Sequence, residues 1–137
     1  MDKSFESRCR SIIAVTKRIF GYGLLFSFAF LFILYLTACW SITSGVKAIS
    51  AEANEEFPGD RIEALIKYAG SENHSLRQRN KTVWALGQIG DERALSALRK
   101  WYIGGPCDHD EFLCQHELQK AITLCQGGFN ATAWLPR

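Results

Sequence analysis

The chain has 137 residues, 47% of them hydrophobic, with 16 Lys and Arg against 14 Asp and Glu and a net charge of +2. So balanced a charge advertises no nucleic-acid partner. The length leaves room for one small folded domain beside the long apolar stretch described next.

Residues 1–18 form a basic segment in which Lys3, Arg8, Arg10, Lys17 and Arg18 outnumber Asp2 and Glu6. Residues 19–43, from Ile19 to Thr43, follow without a charge and are mostly apolar. About twenty such residues as a helix cover a hydrocarbon core of about 30 Å, and a helix satisfies its own backbone polar groups in lipid. The first charges beyond it are Lys47, Glu52, Glu55 and Glu56. Because the basic flank stays in the cytoplasm, a single pass with the N-terminus inside and the rest outside is expected. Tyr22 and Trp40 stand where interfacial aromatics would hold the two lipid surfaces. Membrane lipid is therefore the first expected partner. The sequence places the chain in a bacterial inner membrane with its C-terminal domain in the periplasm.

The stretch Leu36-Thr37-Ala38-Cys39 resembles a bacterial lipobox. That resemblance implies diacylation of the Cys39 thiol and cleavage just before it, so the segment is either a retained anchor or a lipoprotein signal. The bland reading of Cys39 is a small apolar residue at the outer end of a membrane helix.

Residues 44–59 read as a linker or helical stalk, ended by Pro58-Gly59. Beyond it, Asp60 with Glu63, Ser75 with Gln78, and Asp108 with Glu111 have capping-box spacing, and Asp91 is a further N-cap candidate. Gly70, Gly87 and Gly90, Gly104-Gly105-Pro106 and Gly127-Gly128 provide stops. These signals predict helices over 61–69, 76–89, 92–103 and 109–126, an all-α domain at 60–128 and a tail at 129–137. No alternating strand pattern of useful length occurs.

The helices fall into two similar pairs. Residues 62–68 align with 95–101, and residues 83–90 align more loosely with 121–128 after a longer loop. A period near 33 residues signals an α-solenoid of helix hairpins. The run Ala85-Leu86-Gly87-Gln88-Ile89-Gly90-Asp91, followed by Arg93-Ala94-Leu95-Ser96-Ala97-Leu98, resembles the short HEAT-like repeat of the phycobilisome-lyase type. The resemblance spans roughly residues 60–128. It implies a stack of two-helix repeats in which Ala-Leu-Gly permits close helix packing and Asp caps the next helix. In function it implies protein-binding scaffolds and, in a minority, attachment of tetrapyrroles. Two repeats are fewer than the roughly three that usually bury a continuous core. The stalk, a disulfide or a partner has to supply the difference.

In an oxidising compartment Cys107, Cys114 and Cys125 are expected to include a disulfide. Cys114 and Cys125 on one helix are about 16 Å apart and cannot pair. Cys107–Cys114 is the favoured bridge, provided that the loop folds back or the first turn unwinds, with Cys125 buried in the place Gly87 holds one repeat earlier. The set Cys107, His109, Cys114 and His116 also has a zinc-like composition. Helical spacing opposes it, since Cys114 and His116 project about 200° apart on a helix, so no metal is expected. Thioether links from Cys107 and Cys125 to a bilin are the remote enzymatic alternative. No nucleophile elbow, phosphate loop or His-Glu-x-x-His motif is present. The sequence therefore predicts no catalytic residue, cofactor or small-molecule substrate, and no enzyme.

Candidate partner-binding residues are Arg77, Arg79, Lys81, Arg99, Lys100, Phe129 and Trp134, set against the bland reading of a solvated face. Trp84, Trp101 and Tyr102 read first as core. Small residues in the apolar span, Gly21, Gly23, Ser27 and Ala29, suit packing against other membrane helices. The expected function is an accessory subunit or assembly factor among other membrane-protein subunits. A free-standing periplasmic lipoprotein or binding receptor is the alternative.

Overall fold

The structure is a computed structural model that describes residues 3–107 and 111–130, without the side chains of residues 3–15 and 19. In chain order it contains α1 (Lys3–Glu56), α2 (Arg61–Gly70), α3 (Leu76–Ile89), a 3-10 turn (Glu92–Ala94), α4 (Leu95–Trp101) and α5 (Gln115–Cys125). No strand occurs among the described residues. The expected all-α class is what the chain adopts.

Two compact units meet at Ala38 and Cys39. In the first, the large apolar side chains from Phe20 to Leu36 are exposed. By length and composition this helix is able to cross a membrane, and near an N-terminus a signal sequence has the same character.

The second unit, from Cys39 onward, has a single core. Its helix starts follow the capping chemistry. The Asp60 carboxylate accepts from the amides of Ile62 and Glu63, and Ser75 and Gln78 complete a reciprocal capping box at the start of α3. Asp91 accepts from the Arg93 amide at the 3-10 turn. Gly90, at φ 71°, ends α3 in the left-handed region. At the end of α5, Gly127 has φ 86°, its amide donates to the Leu124 carbonyl, and the Gly128 amide donates to the Thr123 carbonyl. This is a Schellman closure.

Residues 44–59, expected as a linker or helical stalk, are helical as far as Glu56, and one face of that helix joins the core. Val46, Ile49 and Ala53 of α1 are fully buried and belong to one core with Leu65 and Tyr68 of α2, Val83 and Leu86 of α3, Leu98 of α4 and Leu118 of α5. The reason lies in their spacing, which puts them on one face of a helix. The indole of Trp84 lies over Gly45, where an added Cβ would come 3.3 Å from the ring. Polar contacts complete the joint. The Tyr68 hydroxyl donates to Glu52, Gln78 Nε2 donates to the same carboxylate at 3.4 Å, and His74 Nε2 lies 2.8 Å from Glu56 while its ring stacks on Tyr68.

The two pairs of helices are in parallel register. Asn80 meets Cys114, Gly87 meets Ala121 and Gly90 meets Leu124, each pair 34 residues apart. Arg93 reaches Asp60 across 33 residues. The looser sequence alignment, which set Cys125 opposite Gly87, is one helical turn out of this register. Ala121 faces Gly87, and the Cys125 thiol instead lies 3.6 Å from the Leu86 carbonyl.

Two further boundaries differ from expectation. The helix expected over 92–103 begins as a 3-10 turn and stops at Trp101, and the one expected over 109–126 begins at Gln115. Cys114 is its N-cap, without a side-chain capping bond. Asp108, of the expected third capping box, lies outside the described residues.

Two outcomes follow from this packing. A Cβ at Gly87 would fall 2.7 Å from the Ala121 Cα, a backbone atom that cannot step aside alone. Gly87→Ala should therefore cost about 1–3 kcal/mol by overpacking, read from the denaturation midpoint. Burial, and next the Glu52 hydrogen bond, push the Tyr68 pKa up to about 12. The folded state keeps a proton that the unfolded chain loses near pH 10. The associated stability should be intact below pH 10 and lost as pH rises toward about 12. Melting curves at pH 9 and 11.5 should show a decline that is smaller in Tyr68→Phe.

Candidate functional site

The α4–α5 connection is the most heavily constrained loop. Cys107 and Cys114 form a disulfide with Cα atoms 4.9 Å apart. Seven residues of continuous helix would hold them about 10 Å apart, so the bridge excludes a continuous helix from Cys107 to Cys114 and favours an unwound first turn. That is the physical reason for the late start of α5. The Cys114 amide donates to Asn80 Oδ1 on α3 at 2.8 Å. Gln115, only 2% exposed, accepts from the amides of Ile103 and Gly104 and donates to the Leu113 carbonyl at 2.9 Å. One side chain thereby ties together both ends of the loop and stops α4 short.

With both sulfurs in the bridge, Cys107 and Cys114 have no thiolate to offer a metal. His109 lies outside the described residues, and His116 is exposed on α5, its backbone amide 3.3 Å from Cys107 Sγ. A four-ligand zinc set is not compatible with this arrangement. Among the described residues no group of three metal-ligating side chains assembles. Cys125 is buried, and its thiol pKa is pushed up to about 11 by burial and secondarily by the charge of Asp91. This is the opposite of the activation that a thioether-forming cysteine needs.

The partner-binding candidates separate into three groups. Arg77 and Lys81 are exposed on α3, and Trp84 and Gln88 continue the same stripe at helical spacing. Beside that stripe, α3 and α5 border a groove of about 240 Å³ lined by Trp84, Gln88, Glu117, Lys120 and Leu124, with the Gly87–Ala121 contact beneath it. Arg99 and Lys100 are exposed at the end of α4. Arg79 is half-buried, and its Nε donates to the Ala69 carbonyl at 2.9 Å near the end of α2. Phe129 is 92% exposed, while Trp134 lies outside the described residues. Trp84 and Trp101 pack partly against the core, as their helical positions implied, whereas Tyr102 is exposed.

Arg93, whose charge suits a basic face, is engaged with two carboxylates. Its guanidinium meets Asp91 at 2.9 Å and Asp60 at 3.1 Å. The Asp91 pKa is lowered mainly by the Arg93 hydrogen bond, and that of Asp60 mainly by the Glu63 amide. The structural use of Asn80 and Gln115 carried no periodic signal. The one hint was a polar residue at a position where the helix pattern calls for an apolar one. Asn80 and Asn73 each begin a glycosylation sequon. The hydroxyl residue of the first, Thr82, is fully buried in α3.

No protein-family model, curated protein or solved structure matches the chain.

These environments predict the pattern of thiol reactivity. Iodoacetamide at pH 8 should leave Cys39, Cys107, Cys114 and Cys125 unmodified in the folded protein, and unfolding should release Cys39 and Cys125 while only reduction releases the other two. Peptide mapping reads this directly, and native labelling of Cys125 would contradict the burial.

Proposed function

We propose that the protein is a membrane-anchored interaction module, an accessory subunit or assembly factor of a larger membrane complex. It presents a small HEAT-like repeat domain on the non-cytoplasmic side of a bacterial inner membrane. The observation that carries this reading is an overlap. The apolar run extends to Thr43, whereas Ile42, half-buried, already packs against the core of the folded domain, which Val46 joins on the same helix. A simple tether needs a spacer between anchor and domain. Here every residue from Cys39 to Glu56 is helical, so the anchor sequence runs into the core without one.

Other features support parts of the reading. The basic residues ahead of the apolar run favour a cytoplasmic N-terminus, and the Cys107–Cys114 bridge suits an oxidising compartment. The parallel register at 34 residues and the tight Gly87–Ala121 approach are what a HEAT-like pair of hairpins would use. The stripe of exposed Arg77 and Lys81 with half-buried Trp84 and Gln88, together with the exposed Arg99 and Lys100 on α4, is the candidate face for a partner subunit. No reaction is assigned to the chain.

The lipoprotein alternative requires a diacylglyceryl thioether on Cys39. Cleavage before Cys39 would leave Ile42, Val46, Ile49 and Ala53 in the chain, so the domain core is compatible with either anchor and the intact mass distinguishes the two.

Native mass spectrometry of protein extracted from its own membrane in mild detergent tests the proposal. A chain that includes residues 1–38 and leaves with stoichiometric membrane subunits is expected. Arg77→Glu with Lys81→Glu should reduce the fraction retained in that assembly without altering the melting curve. A solitary chain beginning at a diacylated Cys39 would overturn the reading.

A further inference from the structure

Phe129 is exposed in an unusual way, because its neighbours on both sides are fixed. The Gly128 amide donates to the Thr123 carbonyl at 2.9 Å, and Asn130 Nδ2 donates to the Gln88 carbonyl at 3.2 Å. Gly128 sits close against that turn, since a Cβ there would lie 2.6 Å from the Thr123 carbonyl oxygen. Between these two clamps a phenyl ring stands 92% exposed. An aromatic held out by its backbone is costly in water unless something apolar receives it.

The contacts of α1 with the rest of the domain identify what lies opposite. Glu56 meets His74, Glu52 meets Gln78, and Gly45 meets Trp84, so α3 runs antiparallel to the end of α1. Extending that register by the four residues from Trp84 to Gln88 brings Gln88 level with about residue 41, since the rise per residue is the same on both helices. Asn130 is bonded to Gln88, so Phe129 is at this same level. Trp40 is there too, 75% exposed and about 180° around α1 from the core residue Ile49 at 3.6 residues per turn. Two exposed aromatics thus stand at one height, one on the domain side of α1 and one on its far side. By sequence this height falls within the last residues of the apolar run 19–43.

We infer that the face of the domain carrying Phe129 sits on the lipid surface, with the Phe129 ring inserted among the headgroups and upper acyl chains as a second interfacial anchor beside Trp40. Aromatic side chains at that depth keep an apolar body in lipid at the edge of the polar region. Two contacts on opposite sides of α1 would also restrain the domain from tilting, as one contact alone cannot. The inference rests on the reading of residues 19–43 as a retained span.

Site-directed spin labelling tests it on the full chain, reconstituted in liposomes of phosphatidylethanolamine and phosphatidylglycerol. Cys9→Ser removes the one thiol outside the domain. Labels are then placed singly through Phe129→Cys, Asn73→Cys and Phe30→Cys, with circular dichroism confirming that each variant melts as the parent does. The expected result is a label at 129 that is several-fold less accessible to a water-soluble nickel chelate than the one at 73, and more accessible to oxygen. Equal chelate access at 129 and 73, with 30 shielded, would overturn the lipid contact while leaving the span intact. Chelate access at 30 would instead remove the span on which the inference depends. Shielding of 129 from both reagents in native membranes, with free chelate access in liposomes, would also overturn it and assign the ring to a protein partner.

Discussion

The burial of Val46, Ile49 and Ala53 is the constraint on which the domain depends. Two short helical hairpins have too little apolar surface to enclose a core. The last turns of α1 supply the missing layer, and all three residues are completely buried. Once that layer is in place, the polar groups around it have partners. Glu52 receives Tyr68 and Gln78, Glu56 faces His74, and Gly45 leaves room for the Trp84 ring. A chain cut at the end of the apolar run would keep Val46, Ile49 and Ala53. One cut at Pro58 would lose all three, so a boundary drawn at the sequence domain limit would remove part of the core.

The opposite side of the domain is held by close approach and covalent closure. Gly87 and Ala121 let α3 and α5 come together at a distance that larger residues forbid. At that spacing the Cys114 amide can reach Asn80, and the bridge to Cys107 then holds the chain ahead of α5. Closing an eight-residue loop is worth about 2–3 kcal/mol in the chain-entropy account of disulfides, comparable to a well-packed side chain. Gln115 adds direction to that restraint. By accepting from Ile103 and Gly104, it sets where α4 ends and where the loop leaves.

Features read from local chemistry were legible in the sequence. Ser75 with Gln78, Asp60, Asp91, Gly90 and Gly127 mark helix ends through backbone requirements that act within a few residues. The apolar run and the Cys107–Cys114 bridge were legible for similar reasons, one from composition and one from the exclusion of Cys125. Nonlocal features were not. How far the stalk enters the core was hidden because its apolar positions are interleaved with Glu52 and Glu56, whose places beside the buried face make sense only once Tyr68, Gln78 and His74 are opposite them. The start of α5 was misplaced because a capping-box spacing at Asp108 and Glu111 is also satisfied by a loop, and a disulfide overrides helix propensity there. Charge alone likewise does not reveal that the Nε of Arg79 bonds the Ala69 carbonyl of a neighbouring helix. Gln115 and Asn80 are polar at core-facing positions, and only three-dimensional packing gives such residues a meaning.

The arrangement also narrows where a partner would act. A short solenoid is expected to leave its last helix hungry for cover, which would make the open end the natural docking surface. The outer face of α5 argues otherwise. His116, Gln119, Lys120 and Thr123 are exposed there, and Lys120 pairs with Glu117 at 3.2 Å. Polar groups of this kind tolerate water, as the capping repeat of the proposed solenoid would, although their carbon stems and Leu124 also border an apolar hollow there. With α1 completing the core on one side, the proposed repeat domain would need a partner less for its stability. Binding would then depend on particular side chains on the α3 stripe and the end of α4, where loss of a contact changes affinity and leaves the fold intact. If the proposed partner docks on that face, recognition and folding would be separable, and substitutions at the exposed Arg77 or Lys81 would report on assembly alone.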